Sequence, residues 1–171
     1  VSTYFDTPDF RLMRAQLALR VRKIGRRHIQ TLKCPPSVEH GVNSRSEWEH
    51  EVHTDRPVLK ESTLKDVGDK KLRKLLSTEK VKQKLTPQFV TDFRRATWPL
   101  KVRDSEIEFA VDVGEIKSSK GSVPVCEVEL ELKSGGIGDV YALAQELHKS
   151  IPFPIEPLSK ARSEEPTSEL Q

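Results

Sequence analysis

Residues Cys126-Glu127-Val128-Glu129-Leu130-Glu131-Leu132-Lys133 alternate apolar and charged side chains without a break. An alternation of period two fits a strand, because successive strand side chains point to opposite faces. Val128, Leu130 and Leu132 therefore share one face, and Glu127, Glu129, Glu131 and Lys133 share the other. Three carboxylates in one row repel each other unless something cationic lies between them. Any fold adopted by this chain has to supply those cations.

The other strand-like stretches repeat the arrangement. Leu17, Leu19 and Val21 alternate with Arg20 and Arg22, and Gly25-Arg26 is the expected hairpin turn before His28–Lys33, which has Ile29, Thr31 and Lys33 in register. Arg45, Glu47, Glu49 and Glu51 alternate with Ser46, Trp48, His50 and Val52. Phe89–Val102 reads as a long strand with Thr91, Phe93, Arg95 and Thr97 on one side. In Glu106–Val113, Ile107, Phe109, Val111 and Val113 oppose Glu106, Glu108, Ala110 and Asp112. Val1–Phe5 is a short strand, and Asp6-Thr7-Pro8-Asp9 has turn chemistry. Residues 34–43, with Pro35-Pro36 and Gly41, read as a loop. The Lys-rich stretch 56–85 has a small apolar stripe of Leu72, Leu75 and Leu76 and predicts one or two short helices. The glycines Gly135, Gly136 and Gly138 read as a linker before a helix over 139–151. Asp139 is expected to cap that helix, and Val140, Leu143, Ala144, Leu147 and Ile151 to cover the sheet.

These elements predict an α+β chain built on an antiparallel sheet. Two architectures fit the two-faced strands. One is a sheet with its charged face in water. The other is a sheet curled into a barrel, charge inside and helices packed on the apolar outside. Arginine and glutamate of both signs dominate the charged faces, where Ser, Thr and Gln are usual on a wet sheet, and this favours the barrel.

With 171 residues the chain suffices for one domain with a real core. Its net charge of +3, from 29 basic and 26 acidic residues, excludes a global polyanion-binding field and permits a local one. No apolar run reaches membrane-spanning length. Cys34 and Cys126 fit either a reduced cytoplasmic pair or a disulfide, and without a CxxC there is no zinc ribbon. His50 and His53, three apart on a strand, face opposite sides and do not form HExxH. No nucleic-acid partner is expected, for want of a basic stripe with aromatic stacking platforms.

Eight motifs stand in the order found in the CYTH superfamily, the triphosphate tunnel metalloenzymes. They are Tyr4-Phe5-Asp6-Thr7-Pro8-Asp9, Leu19-Arg20-Val21-Arg22, Thr31-Leu32-Lys33, Arg45-Ser46-Glu47-Trp48, the stretch from Thr91 to Trp98, the stretch from Ile107 to Glu115, the opening stretch from Cys126 to Leu132, and Leu158-Ser159-Lys160-Ala161. The chain resembles that superfamily over nearly its whole length, and within it most resembles bacterial inorganic triphosphatases. The resemblance implies an antiparallel tunnel of eight strands, about seven of them here. It implies that Arg20, Arg22, Lys33, Arg95 and Lys160 bind phosphate oxygens, with Arg45 as a further candidate on the same face. Glu47, Asp112, Glu127 and Glu129 would hold Mg²⁺ or Mn²⁺, and Glu129, Glu127 and Asp112 would carry catalysis.

The implied reaction is cytoplasmic, metal-dependent hydrolysis of inorganic triphosphate to pyrophosphate and phosphate. Nucleoside or thiamine triphosphate hydrolysis, adenylate cyclisation, and polyphosphate binding without cleavage remain open. The superfamily opens on a Glu-x-Glu-x-Lys strand that supplies metal ligands, whereas this chain starts just before Tyr4-Phe5-Asp6-Thr7. The expectation is an N-terminally truncated tunnel domain over 1–161, its activity in question without those ligands. Residues 162–171 resemble a translated sequencing adapter and read as a non-native or disordered tail. A helical CHAD domain often follows in such proteins and is the partner domain the resemblance implies.

Overall fold

The structure, a computed structural model, describes residues 1–39, 42–65, 67 and 69–152, with backbone alone over 35–39 and 42–46. Among the described residues seven strands are formed: β1 (Ser2–Asp6), β2 (Ala18–Ile24), β3 (Arg27–Glu39), β4 (Val42–Val52), β5 (Thr86–Val102), β6 (Ser105–Ser118) and β7 (Gly121–Ser134). The described residues also form five helices: α1 (Arg11–Arg14), α2 (Glu61–Leu64), α3 (Lys70–Ser77), α4 (Glu79–Lys82) and α5 (Ile137–Ser150). The strands make one antiparallel α+β sheet in the order β4-β3-β2-β1-β5-β6-β7. Contacts divide the chain into two compact units, one of Val1–Asp92 with Lys117–Ser122, the other of Phe93–Ile116 with the chain from Val123 onward.

In the first unit, register places the apolar residues in rows. Leu19 lies opposite Leu32, and Leu32 opposite Trp48. That face joins Phe5, Leu17, Val21, Cys34 and Val52 to Leu12 of α1, Leu64 of α2, Leu76 of α3 and Val81 of α4 in one cluster. Each fully enclosed Leu or Val contributes about 1.5–3 kcal/mol relative to exposure. Helices thus pack on the apolar face, as the two-faced strands predict.

Polar side chains fasten these helices and the chain between them. The carboxylate of Asp6 accepts from the backbone N–H of Thr7 at 2.6 Å, of Leu12 at 2.9 Å and of Met13 at 2.9 Å, which fixes the turn and starts α1, a helix absent from the sequence reading. Gln30, buried on the apolar side, accepts from Val58 N at 2.6 Å and donates to Val58 O at 3.2 Å, as a neighbouring strand would. Asp69 caps α3 by accepting from Lys71 N at 2.7 Å.

Two expectations are corrected here. The 56–85 region folds as three short helices. Of the stretch 34–43, expected as a loop, residues 34–39 and 42–43 are strand, because β3 continues through Pro35-Pro36 to Glu39 and pairs with β4 as far as Glu39↔Val42. The reason is positional. Pairing of β2 with β3 ends at Ala18↔Lys33, so beyond Lys33 a ladder with β4 alone is formed, and its register shifts between Lys33 and Pro36. A one-sided ladder with a bulge is where a sheet tolerates proline.

In the second unit, α5 is fastened by Ser105. This fully buried hydroxyl accepts from Gly136 N at 2.9 Å and donates to Asp139 Oδ2 at 2.6 Å, and Arg103 reaches Asp139 at 2.9 Å. Gly136, not Asp139, stands at the N-cap, so Asp139 instead sits in the first turn and serves as the anchor. The Ser105 hydrogen bond, with Arg103 adding to it, holds the Asp139 carboxyl below its ordinary pKa. That contribution is present above the usual carboxylate range and is lost as pH falls. Gly135 is required at its position: its φ is +99°, and a Cβ there would lie 2.3 Å from Ser105 Oγ. The stripe of Val140, Leu143, Ala144 and Leu147 is half-buried, and Ile151, past the helix end, is 62% exposed.

Both cysteines are free, Cys34 buried and Cys126 exposed. Burial, with the Asp69 charge adding to it, pushes the Cys34 thiol up to about 11. The folded state therefore keeps this thiol protonated, an advantage lost as pH rises from the ordinary thiol range through about 11. A thiol reagent at pH 8 should label one cysteine per native chain and the second only on unfolding. Rapid labelling of both in native conditions would contradict the enclosed thiol. Separately, Ser105→Ala should cost about 1–3 kcal/mol in chemical denaturation, since it leaves the Gly136 N–H and the Asp139 carboxylate short of a partner. An unchanged midpoint would contradict the anchoring role.

Candidate functional site

Three acidic residues converge in the second unit. Asp112 on β6 and Glu127 and Glu129 on β7 each offer a carboxylate oxygen, and these oxygens lie within 4.8 Å of one another. Asp112 is 2% exposed. Such a group needs a cation, and Arg95 on β5 provides it. Its Nε donates to Asp112 Oδ1 at 2.7 Å and its Nη2 to Asp112 Oδ2 at 2.6 Å, a two-pronged pairing. The same Nη2 donates to Glu129 Oε2 at 2.6 Å. These partners, the Asp112 hydrogen bond first, raise the pKa of Arg95. Lys133 repeats the motif nearer the strand end, 3.5 Å from Glu108 and 2.9 Å from Glu131. A shallow recess of about 310 Å³ beside Lys133, lined in part by Lys101, Glu106 and Glu108, takes in none of the three clustered carboxylates.

The donor set of Asp112, Glu127 and Glu129 is all oxygen, which suits a hard divalent cation. Arg95 shares two of these carboxylates, so a metal there would meet a guanidinium already in place.

The first unit carries a second charged constellation. Across β2, β3 and β4, register aligns Arg20 with Thr31 and Thr31 with Glu49, and aligns Lys33 with Glu47. Thr31 Oγ1 donates to Glu49 at 2.9 Å, and Lys33 pairs with Glu47. Arg20 is only 12% exposed and approaches Glu49 at 3.9 Å. Its Nε is buried with no acceptor among the described residues. Arg22 Nε donates weakly to Ser2 Oγ at 3.4 Å.

Of the residues singled out in the sequence, the structure brings Arg95, Asp112, Glu127 and Glu129 together. Arg20, Arg22, Lys33 and Glu47 lie in the first unit, where Glu47 is the partner of Lys33. Arg45 lies on β4 opposite Pro36, with its side chain outside the described set, and Lys160 lies outside the described residues. Glu49 joins this constellation without being among the expected residues, and its place two residues beyond Glu47 on the same strand face is the signal the sequence offers for it.

The model of the CYTH domain family matches residues 2–162. The chain belongs to the CYTH family. This CYTH domain is 33% identical over 147 residues to the inorganic triphosphatase of Haemophilus influenzae, a match covering 85% of the chain and 39% of that protein. It also shares its fold with a candidate adenylate cyclase from Bacillus halodurans seen by crystallography, with a TM-score of 0.50 at 18% identity over 95% of this chain and 79% of the other.

Arg95→Ala in this CYTH domain should cost about 1–3 kcal/mol, because hydrogen bonds to a charged, enclosed carboxylate are lost while solvent partly screens the half-exposed guanidinium. Arg95→Lys should recover only part of it, since an ammonium cannot make the fork. Urea denaturation checks both, and full recovery by lysine would show that charge alone suffices.

Proposed function

We propose that this CYTH domain hydrolyses inorganic triphosphate to pyrophosphate and phosphate with the help of Mg²⁺ or Mn²⁺. The observation that carries the reading is the convergence of Asp112, Glu127 and Glu129, with oxygens within 4.8 Å, around the guanidinium of Arg95. A triphosphate is polyanionic and would be repelled by bare carboxylates, so an acidic cluster serves such a substrate by way of a cation. Asp112, Glu127 and Glu129 would hold the metal, which when bound supplies charge neutralisation at the transferring phosphoryl group and a more acidic water. That the Haemophilus influenzae relative is an inorganic triphosphatase supports inorganic triphosphate as the substrate.

The chain's own residues have distinct parts. Glu127 and Glu129, on one face of β7, would anchor the cation, and Asp112 is held in position by Arg95. Arg95 donates toward anionic oxygen and keeps two strands' carboxylates from separating. Arg20, whose buried Nε has no acceptor among the described residues, is short of the hydrogen-bond partner that a phosphate oxygen would provide. Arg22 and Lys33 add donors from the same face, and Glu47 orients Lys33. Lys160 and Arg45 are further phosphate ligands in this reading. Binding and positioning by these groups account for most of the expected rate, as phosphoryl transfer requires little covalent assistance.

Phosphate release from tripolyphosphate, with Mg²⁺ and with Mn²⁺, tests the proposal. It is measured on this chain and on the chain extended at its N-terminus by a Glu-x-Glu-x-Lys strand. Glu129→Gln should lower turnover by about a hundredfold and weaken metal binding while leaving the melting temperature within a few degrees. Unchanged turnover would remove Glu129 from the site. Tripolyphosphate binding with no release from either form would make the domain a polyphosphate binder instead of a hydrolase.

A further inference from the structure

The charge of the chain is not evenly spread. Residues 60–84 carry nine basic and four acidic side chains, a net +5, while the whole chain is only +3, so everything outside this stretch is net −2. The stretch contains α2, α3 and α4. Its apolar residues are used inward: Leu64, Leu76 and Val81 are buried, and Leu72 and Leu75 pack partly buried on the same cluster. The lysines take the outward side, with Lys70, Lys71, Lys74, Lys80, Lys82 and Lys84 all exposed. Little of this charge is neutralised locally. The carboxylate of Asp69 is used at the α3 N-terminus, and Glu79 engages Lys82 at 3.5 Å and Gln83. Lys70, Lys71, Lys74, Lys80 and Lys84 have no ion-pair partner among the described residues.

What such a surface binds follows from what it lacks. Residues 60–84 contain no Phe, Tyr or Trp, so bases would find no stacking platform. None of the large exposed apolar residues lies in the stretch, so an acyl layer would gain nothing by contact with it. The cations are nearly all lysine, flexible point charges without the planar fork that selects geometry. A ligand matched to this surface is densely anionic, linear and flexible, without bases or lipid tails.

We propose that the lysine surface of α3 and α4 is a binding site for linear inorganic polyphosphate that uses none of the residues of the acidic cluster. The site acts through summed charge, so it gathers long chains and has little hold on short ones. It does not depend on the hydrolytic reading, because it needs neither metal nor cleavage.

The test is binding of long-chain polyphosphate, of roughly a hundred phosphates, to the chain in EDTA with excess tripolyphosphate present to fill any site for a short chain. The native chain should bind the long polymer with an affinity that falls steeply between low and physiological salt. Charge reversal at K70E/K71E/K74E/K80E should weaken it by about a hundredfold, and the neutral set K70Q/K71Q/K74Q/K80Q by about tenfold, with circular dichroism and tripolyphosphate binding unchanged. Native-like affinity in either folded variant would overturn the proposal. So would equally tight binding of the native chain to a single-stranded oligonucleotide of matched charge, or to vesicles rich in phosphatidylserine, since the surface would then serve nucleic acid or membrane.

Discussion

An aspartate as enclosed as Asp112 cannot keep its charge without a cation in contact, and the arrangement of β5, β6 and β7 follows from meeting that need. Removing one partner from an enclosed charge pair costs far more than an exposed pair contributes. Arg95 meets the need with two donors and spends part of one on Glu129. One side chain therefore ties three strands together. It also holds two carboxylates close enough that a third, Glu127, completes a set fit for a divalent ion. The same interaction that makes the cluster tolerable in the folded protein holds its oxygens together.

The charged face of the first unit has a different balance. Lys33–Glu47 and Arg20–Glu49 are half-exposed or long pairs, of the kind contributing about 0–1 kcal/mol. A buried donor without an acceptor, as Arg20 Nε is among the described residues, costs about 1–3 kcal/mol. Stability alone does not account for keeping an arginine there.

Much was legible in the chain because strand alternation is a local, period-two signal. Leu17, Leu19 and Val21 are buried where their alternation puts them, and Glu127 and Glu129 share the face assigned to them. Other features depended on partners far along the chain. Pro35-Pro36 reads as a loop until one knows that β2 stops pairing at Lys33 and leaves β3 a one-sided ladder. Ser105 and Asp139 are ordinary polar residues until the turn at Gly135 brings them within 2.6 Å. Asp6, a turn former by composition, also begins α1, because Leu12 N and Met13 N curl back to it.

By itself the sequence determined which residues oppose which along each strand, the antiparallel α+β class, and the concentration of lysine in one helical stretch, all consequences of spacing and composition. Tertiary structure alone decided that Arg95 sits between Asp112 and Glu129, that Arg20 keeps an unmet donor, and that Glu47 answers Lys33 while Glu49 lies nearest Arg20. Those outcomes depend on cross-strand register and on which neighbour reaches a charge first, and neither is carried by the alternation of a single strand.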